Sequence, residues 1–180
     1  LFRCRNLALF LKSLGFRIIF ISRPLTNSLS ELLQKDFELF SLPSLTSTSS
    51  LPESLSPSFS QTNDAIETAS CLSVNNISNI CCVVVDHYSL DIEWHLTFLS
   101  VVPFTTIAPL IFVIDDLFNR KHYCQLLLDQ TNPLGSSLYF DLVPPHCEIL
   151  SGPKYALLSP EYPLLHSLLP VRTALSRILI

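Results

Sequence analysis

VVVDHYSLD, residues 83–91, runs three β-branched apolar residues directly into Asp86, His87 and Tyr88. An unbroken apolar run of this kind suits a strand covered on both faces, as in a parallel sheet, better than an alternating half-exposed one. The pattern recurs. LIFVI (110–114) ends on Asp115-Asp116, and CQLLLD (124–129) ends on Asp129-Gln130. Three buried strands each closing on an acid predict an α/β fold with a mostly parallel sheet, with the acids aligned beyond the strands' C-terminal ends. That edge is where such sheets build their sites.

Outward from this core, the chain alternates helical and extended patterns. Residues 2–14 predict an amphipathic helix with Leu7, Phe10, Leu11 and Leu14 on one stripe and Gly15 as its stop. FRIIFIS (16–22) reads as a strand ended by Arg23-Pro24. Ser28-Leu-Ser-Glu31 has capping-box spacing for a second helix, and FELFSL (37–42) is a short strand. Residues 43–61 are rich in Ser, Pro and Thr and predict a loop. A helix over about 63–78 with Ile66, Ala69 and Val74 apolar, a strand at 81–85, a helix at 91–100 carrying a core Trp94, and strands at 110–114, 124–129 and 147–152 complete the βαβ series. YALLSPEY (155–162) then reads as a strand-to-helix link, 164–176 as a connecting segment, and RILI (177–180) as a strand beginning.

Composition narrows the function classes. The 180 residues are 48% apolar and 14% charged, enough for one domain with a core. A net charge of −4 without any Lys/Arg cluster argues against nucleic acid. Residues 96–114 carry no charge over a membrane-spanning length, but Pro103, Pro109 and three threonines interrupt them. A helix end, a turn and a buried strand account for the segment, and neither a membrane span nor a secretory signal is expected. Six cysteines without a framework spacing, two of them (Cys81, Cys82) in a predicted strand, suggest buried free thiols in a reduced, cytoplasmic chain. The absence of Met and the presence of only three glycines lead to the expectation of a piece of a larger protein.

The strand-end acids can hold a hydroxyl-rich substrate, coordinate Mg²⁺ or supply a general base; they can equally cap the turns that follow. The His87 imidazole can take or give a proton or serve as a hydrogen-bonded structural group, and Tyr88 can stack on a sugar or base or pack beneath the loop. His122-Tyr-Cys124 and His146-Cys147 match no closed zinc spacing, so no metal is expected. No nucleophile elbow and no phosphate-cradling glycine loop occurs.

LFRCRNLALFLKSLGFRIIFISRPL, VVVDHYSLDIEW, VIDDLFNRKHYCQLLLDQ and LVPPHCEILSGPKYALLSPEY resemble, in order, the UDP-sugar hydrolases of pseudaminic acid biosynthesis and related spore-coat polysaccharide proteins. The resemblance runs from Leu1 to about Tyr162. It implies the N-terminal Rossmann-like half of a glycosyltransferase-B architecture: residues 1–163 as that domain, lacking its first strand, and 164–180 as a linker toward a UDP-binding half. It further implies hydrolysis of the anomeric C–O bond of UDP-2,4-diacetamido-2,4,6-trideoxy-β-L-altropyranose with inversion, without metal or cofactor. A monomer is a separate expectation that neither the resemblance nor the residues decide. The family's histidine base lies in a Gly-x-Gly-His-x-x-Arg-Cys motif whose last four positions correspond to Leu1, Phe2, Arg3 and Cys4. The histidine would immediately precede Leu1, so the 180 residues alone are expected to be inactive. Arg3, Asp86, His87 and Tyr88 are then expected at the sugar, with Asp115 and Asp116 nearby. A glycosyltransferase of the same architecture, or a non-catalytic half, remains the alternative.

Overall fold

The computed structural model describes residues 1–44, 60–102 and 107–169. Its elements are α1 (Phe2–Ser13), β1 (Ile19–Ser22), α2 (Asn27–Gln34), β2 (Glu38–Ser41), α3 (Gln61–Val74), β3 (Cys82–Val85), α4 (Ile92–Val101), β4 (Leu110–Ile114), β5 (Leu126–Asp129), α5 (Gly135–Leu138), β6 (Glu148–Ser151) and α6 (Glu161–Leu168). A 3-10 turn at Pro153–Tyr155 links the last two. Every strand pair is parallel, as the apolar runs predict, and the fold is Rossmann-like α/β.

The strands fall into two sheets, β1-β2 and β3-β4-β5-β6. Side-chain alternation puts one face of both on a shared core. Ile19, Ile21, Phe40, Val83, Val85, Ile111, Val113 and Leu127 meet Ala65, Ala69 and Leu72 of α3 and Trp94 and Phe98 of α4 there. On the opposite face α1 bridges the two sheets. Its Ala8 and Leu9 pack with Phe20 and Leu39, while its Cys4 and Leu7 pack with Val84, Phe112 and Ile114. At the end of β1, Arg23 donates to Asp64 of α3, which also accepts from Trp94 Nε1 at 2.9 Å.

The break between the sheets leaves two ladder edges open. Leu42 N donates to Ser22 O, so in a parallel ladder Phe20 and Ser22 face β2 while Ile19 and Ile21 turn their backbone groups away. Leu110 N donates to Cys81 O, which by the same alternation turns Cys82 and Val84 away from β4. Among the described residues β1 pairs only with β2 and β3 only with β4. The orders β2-β1 and β3-β4-β5-β6 are those of the two halves of a doubly wound sheet, with no described strand between β1 and β3.

Several local expectations need correcting. The inward stripe of α1 is the buried Ala8 with the half-buried Cys4, Leu7 and Leu11, at i, i+3, i+4 and i+7, while Phe10 and Leu14 are exposed. Ala8 and Cys4 let the helix lie close over two sheets. α1 stops at Ser13, and Gly15 takes a left-handed turn at φ +91. β1 begins at Ile19 rather than Phe16, since Arg17 reaches out to Glu38. α2 starts after Thr26, placing Ser28 inside its first turn instead of at its cap. α3 is capped by Ser60 and buries Ala65, Thr68, Ala69 and Leu72, leaving Ile66 and Val74 exposed. Cys81 and Cys82 are exposed, not buried, because β3 is an edge strand; all six cysteines are free. Residues 164–168 belong to α6, whereas RILI and most of the Ser/Pro/Thr loop lie outside the described residues. No described helix is long and apolar enough to cross a membrane.

Candidate functional site

The C-terminal ends of β3 and β4 and the first turn of α1 converge on one cleft. It measures about 650 Å³ and is lined by Leu1, Phe2, Arg3, Asp86, His87, Tyr88 and Ser89. The local sequence explains the convergence. β3 ends at Val85, and α4 cannot begin until Asp91 caps it by accepting from Glu93 N at 2.9 Å. The five residues between must turn, and Asp86, His87 and Tyr88 are delivered to the rim.

Arg3 organises the rim. Its Nε donates to Asp86 Oδ2 at 3.1 Å and its Nη2 to Asp86 Oδ1 at 2.5 Å, a bidentate fork. Its Nη1 donates to Asp116 Oδ2 at 3.3 Å, and the Tyr88 hydroxyl donates to the same oxygen at 3.3 Å. Cys4 Sγ lies 2.9 Å from Asp86 Oδ2. Burial favours the neutral form of Asp86, but the Arg3 fork and the Cys4 contact outweigh it and hold the carboxyl below its ordinary range. The Asp86 bonds push Arg3 up against the opposing effect of burial, while burial and the Asp86 charge push the Cys4 thiol up to about 12. A carboxylate held this firmly ionised is a positioning group and a weak base.

His87 is exposed at the cleft, its Nδ1 accepting from Ser89 N at 3.1 Å. That bond occupies Nδ1, so the neutral ring carries its proton on Nε2. Its own carbonyl accepts from Arg120 Nη2 at 3.4 Å.

Asp115 sits behind this rim. It is 0% exposed and does not line the cleft. Tyr139 Oη donates to its Oδ2 at 2.7 Å, as do the backbone N–H groups of Leu117 and Phe118 at 3.2 Å, and Arg120 Nη2 donates to Oδ1. Burial alone would raise its pKa. The Tyr139 hydroxyl, the Arg120 guanidinium and the His122 ring, whose Nε2 is 3.8 Å away, overcome this and hold it far below the usual carboxylate range. Arg120 also donates its Nε to Leu90 O at 3.0 Å, so one guanidinium ties Asp115 to both ends of the 87–90 turn. Asp129 is a turn residue as well, its Oδ1 accepting from Thr131 N, Thr131 Oγ1 and Asn132 N.

Of the six residues expected at the sugar, Arg3, Asp86, His87 and Tyr88 line the cleft, Asp116 adjoins them through Arg3 and Tyr88, and Asp115 is their buried support. Arg120 and Tyr139 were not anticipated. Arg120, five residues past a buried strand-end acid, carried a weak signal; Tyr139 carried none. Among the described residues no cluster of His, Cys, Asp and Glu could hold a metal ion. His122 is buried against Asp115, and His146 stands at the surface beside Tyr123. No protein-family model matches this chain, and no curated protein does.

Proposed function

We propose that this chain is the sugar-recognising half of a nucleotide-sugar hydrolase, and that the cleft at Arg3, Asp86, His87 and Tyr88 takes the amino-sugar part of a UDP-sugar. One observation carries the reading: residues separated by more than 80 positions form a single hydrogen-bonded array, Tyr88–Asp116–Arg3–Asp86, at the C-terminal edge of a parallel sheet. Hydroxyl, imidazole N–H and carboxylate groups side by side suit the hydroxyl and acetamido groups of such a sugar. The array holds one guanidinium against two carboxylates, which repels rather than gathers phosphate. The pyrophosphate therefore belongs to other elements, in keeping with a two-part nucleotide-sugar site.

In hydrolysis at the anomeric carbon, the C–O bond to UDP breaks as water attacks from the opposite face, so the sugar must be held rigidly while the leaving group departs. Asp86 and Tyr88 hold hydroxyl groups, and His87 donates a hydrogen bond from Nε2. None of the three is assigned as the base. The test is saturation-transfer NMR with UDP-N-acetylglucosamine and a UDP-diacetamido-trideoxyhexose, with UDP release followed in parallel. Transfer to the acetamido methyls, weakened about tenfold or more by Asp116→Asn combined with Tyr88→Phe, supports the reading. Transfer confined to the uracil ring, or signals indifferent to both substitutions, overturns it.

A further inference from the structure

The His122-Tyr-Cys124 and His146-Cys147 motifs bring two thiols together. Cys124 and Cys147 lie just ahead of β5 and β6, the paired strands that begin at Leu126 and Glu148. Their Sγ atoms are 3.5 Å apart. The backbone around them is fixed. Glu148 N donates to Gln125 O at 3.0 Å, Gln125 N to Ile111 O at 3.0 Å, and Cys147 N to Pro144 O at 2.9 Å. Cys124 is fully buried in the main core, whereas Cys147 is half-buried and open to solvent on one side. The other cysteines are differently engaged: Cys4 lies against Asp86, Cys71 beside Asn75, and Cys81 and Cys82 stand exposed as sequence neighbours.

We infer that Cys124 and Cys147 are a reversible disulfide-forming pair that reacts with small disulfides. A disulfide needs the two sulfurs at about 2.05 Å, so a displacement of roughly 1.5 Å, available from side-chain rotation, joins them. The order of events follows from access. Cys147, the more accessible of the two, meets the oxidant; its contact with Cys124 across 3.5 Å favours its thiolate, while the same contact and burial push Cys124 up. The Cys147 thiolate attacks one sulfur of a disulfide R–S–S–R, forming Cys147–S–S–R and expelling RS⁻. Cys124 then loses its proton to solvent and attacks the Cys147 sulfur, expelling the second RS⁻. Two thiols of the protein are oxidised and one small disulfide is reduced to two thiols. The new bond ties the starts of β5 and β6, at the end of the sheet opposite the cleft, and encloses β5, α5 and Tyr139.

The experiment uses the full chain carrying Cys81→Ser and Cys82→Ser, incubated with oxidised glutathione and read by intact mass, thiol titration and peptide mapping. The expected result is the loss of two hydrogens and of two titratable thiols. A single Cys124–Cys147 cross-linked peptide should appear, with a melting temperature raised by roughly 5 °C, all reversed by dithiothreitol. Cys124→Ser should trap a glutathione adduct on Cys147, and Cys147→Ser should leave Cys124 unmodified. A lasting glutathione adduct on Cys147 with Cys124 intact overturns the inference. So does a cross-link involving Cys4 or Cys71, or a full thiol count after incubation.

Discussion

Asp86 and Asp115 close neighbouring strands with the same signature, an apolar run followed by an acid, yet they occupy opposite kinds of surroundings. Asp86 stands on the rim of a cleft and spends its oxygens on a side chain from α1, a distant part of the chain. Asp115 is sealed inside, and its donors Leu117, Phe118 and Arg120 come from the turn it begins, with Tyr139 above. One corner assembles a surface for something else to touch, and the other holds that surface in place. The lesson is that a strand-end acid announces a location, and only the next layer of contacts decides its use.

The largest effect should come from the inner corner. Asp115→Ala takes the acceptor from the Tyr139 hydroxyl and the carboxylate partner from Arg120, whose backbone acceptors stay in place, and should lower unfolding free energy in urea by about 3–5 kcal/mol. If it proves milder than Asp86→Ala, the contrast between the corners fails. Arg3→Ala, at the partly exposed rim, should cost about 1–2 kcal/mol while weakening UDP-sugar binding by an order of magnitude or more. A loss of stability without loss of binding would make the rim a second support.

Acid sharpens the comparison further. His95 on α4 is buried beside His122, its Nδ1 accepting from Tyr123 N at 3.1 Å, and burial followed by the neighbouring His122 pulls its pKa from 6.5 down to about 3. A ring that stays neutral in the fold but charges when unfolded contributes stability that is complete above pH 6.5 and drains away as pH falls toward 3. Asp115, whose carboxyl is depressed, works in the same direction at lower pH, from its ordinary 3.8 downward. Between pH 6.5 and 4 the slope should approach about 1.4 kcal/mol per pH unit and should flatten in His95→Gln, measured by chemical denaturation across pH. An unchanged slope would place the acid sensitivity elsewhere. The smallest expected change in stability is that of Tyr88→Phe: the hydroxyl is exposed, so stability should move by less than about 0.5 kcal/mol while sugar affinity falls severalfold.

The parallel sheet was legible because Val83–Val85, Ile111–Ile114 and Leu126–Leu128 are buried or half-buried throughout and therefore do not alternate. The cleft residues were legible for a related reason, since a turn that follows such a strand has nowhere to go but the sheet's edge. What escaped the linear reading was packing by small and polar groups. Buried Ala8 and half-buried Cys4 set the inward face of α1, where larger Phe10 and Leu14 drew attention and lie exposed. The partners of Asp115 were equally hidden, because Tyr139 stands 24 residues away and reaches it only through the fold. Cys81 and Cys82 looked interior by composition, and the open flank of β3 leaves them at the surface.

That open flank has a colloidal consequence. Among the described residues, backbone donors and acceptors at Ile19, Ile21, Cys82 and Val84 have no strand partner, and a second molecule brought alongside can satisfy them at no entropic penalty beyond its own immobilisation. The guards are few and sit at the margins: Arg17, Arg23 and Pro24 flank one opening, and Asp86 flanks the other. Shelf life in concentrated solution should thus be governed by those four backbones far more than by a formal charge of −4, and crowding should tell on this chain before heat does.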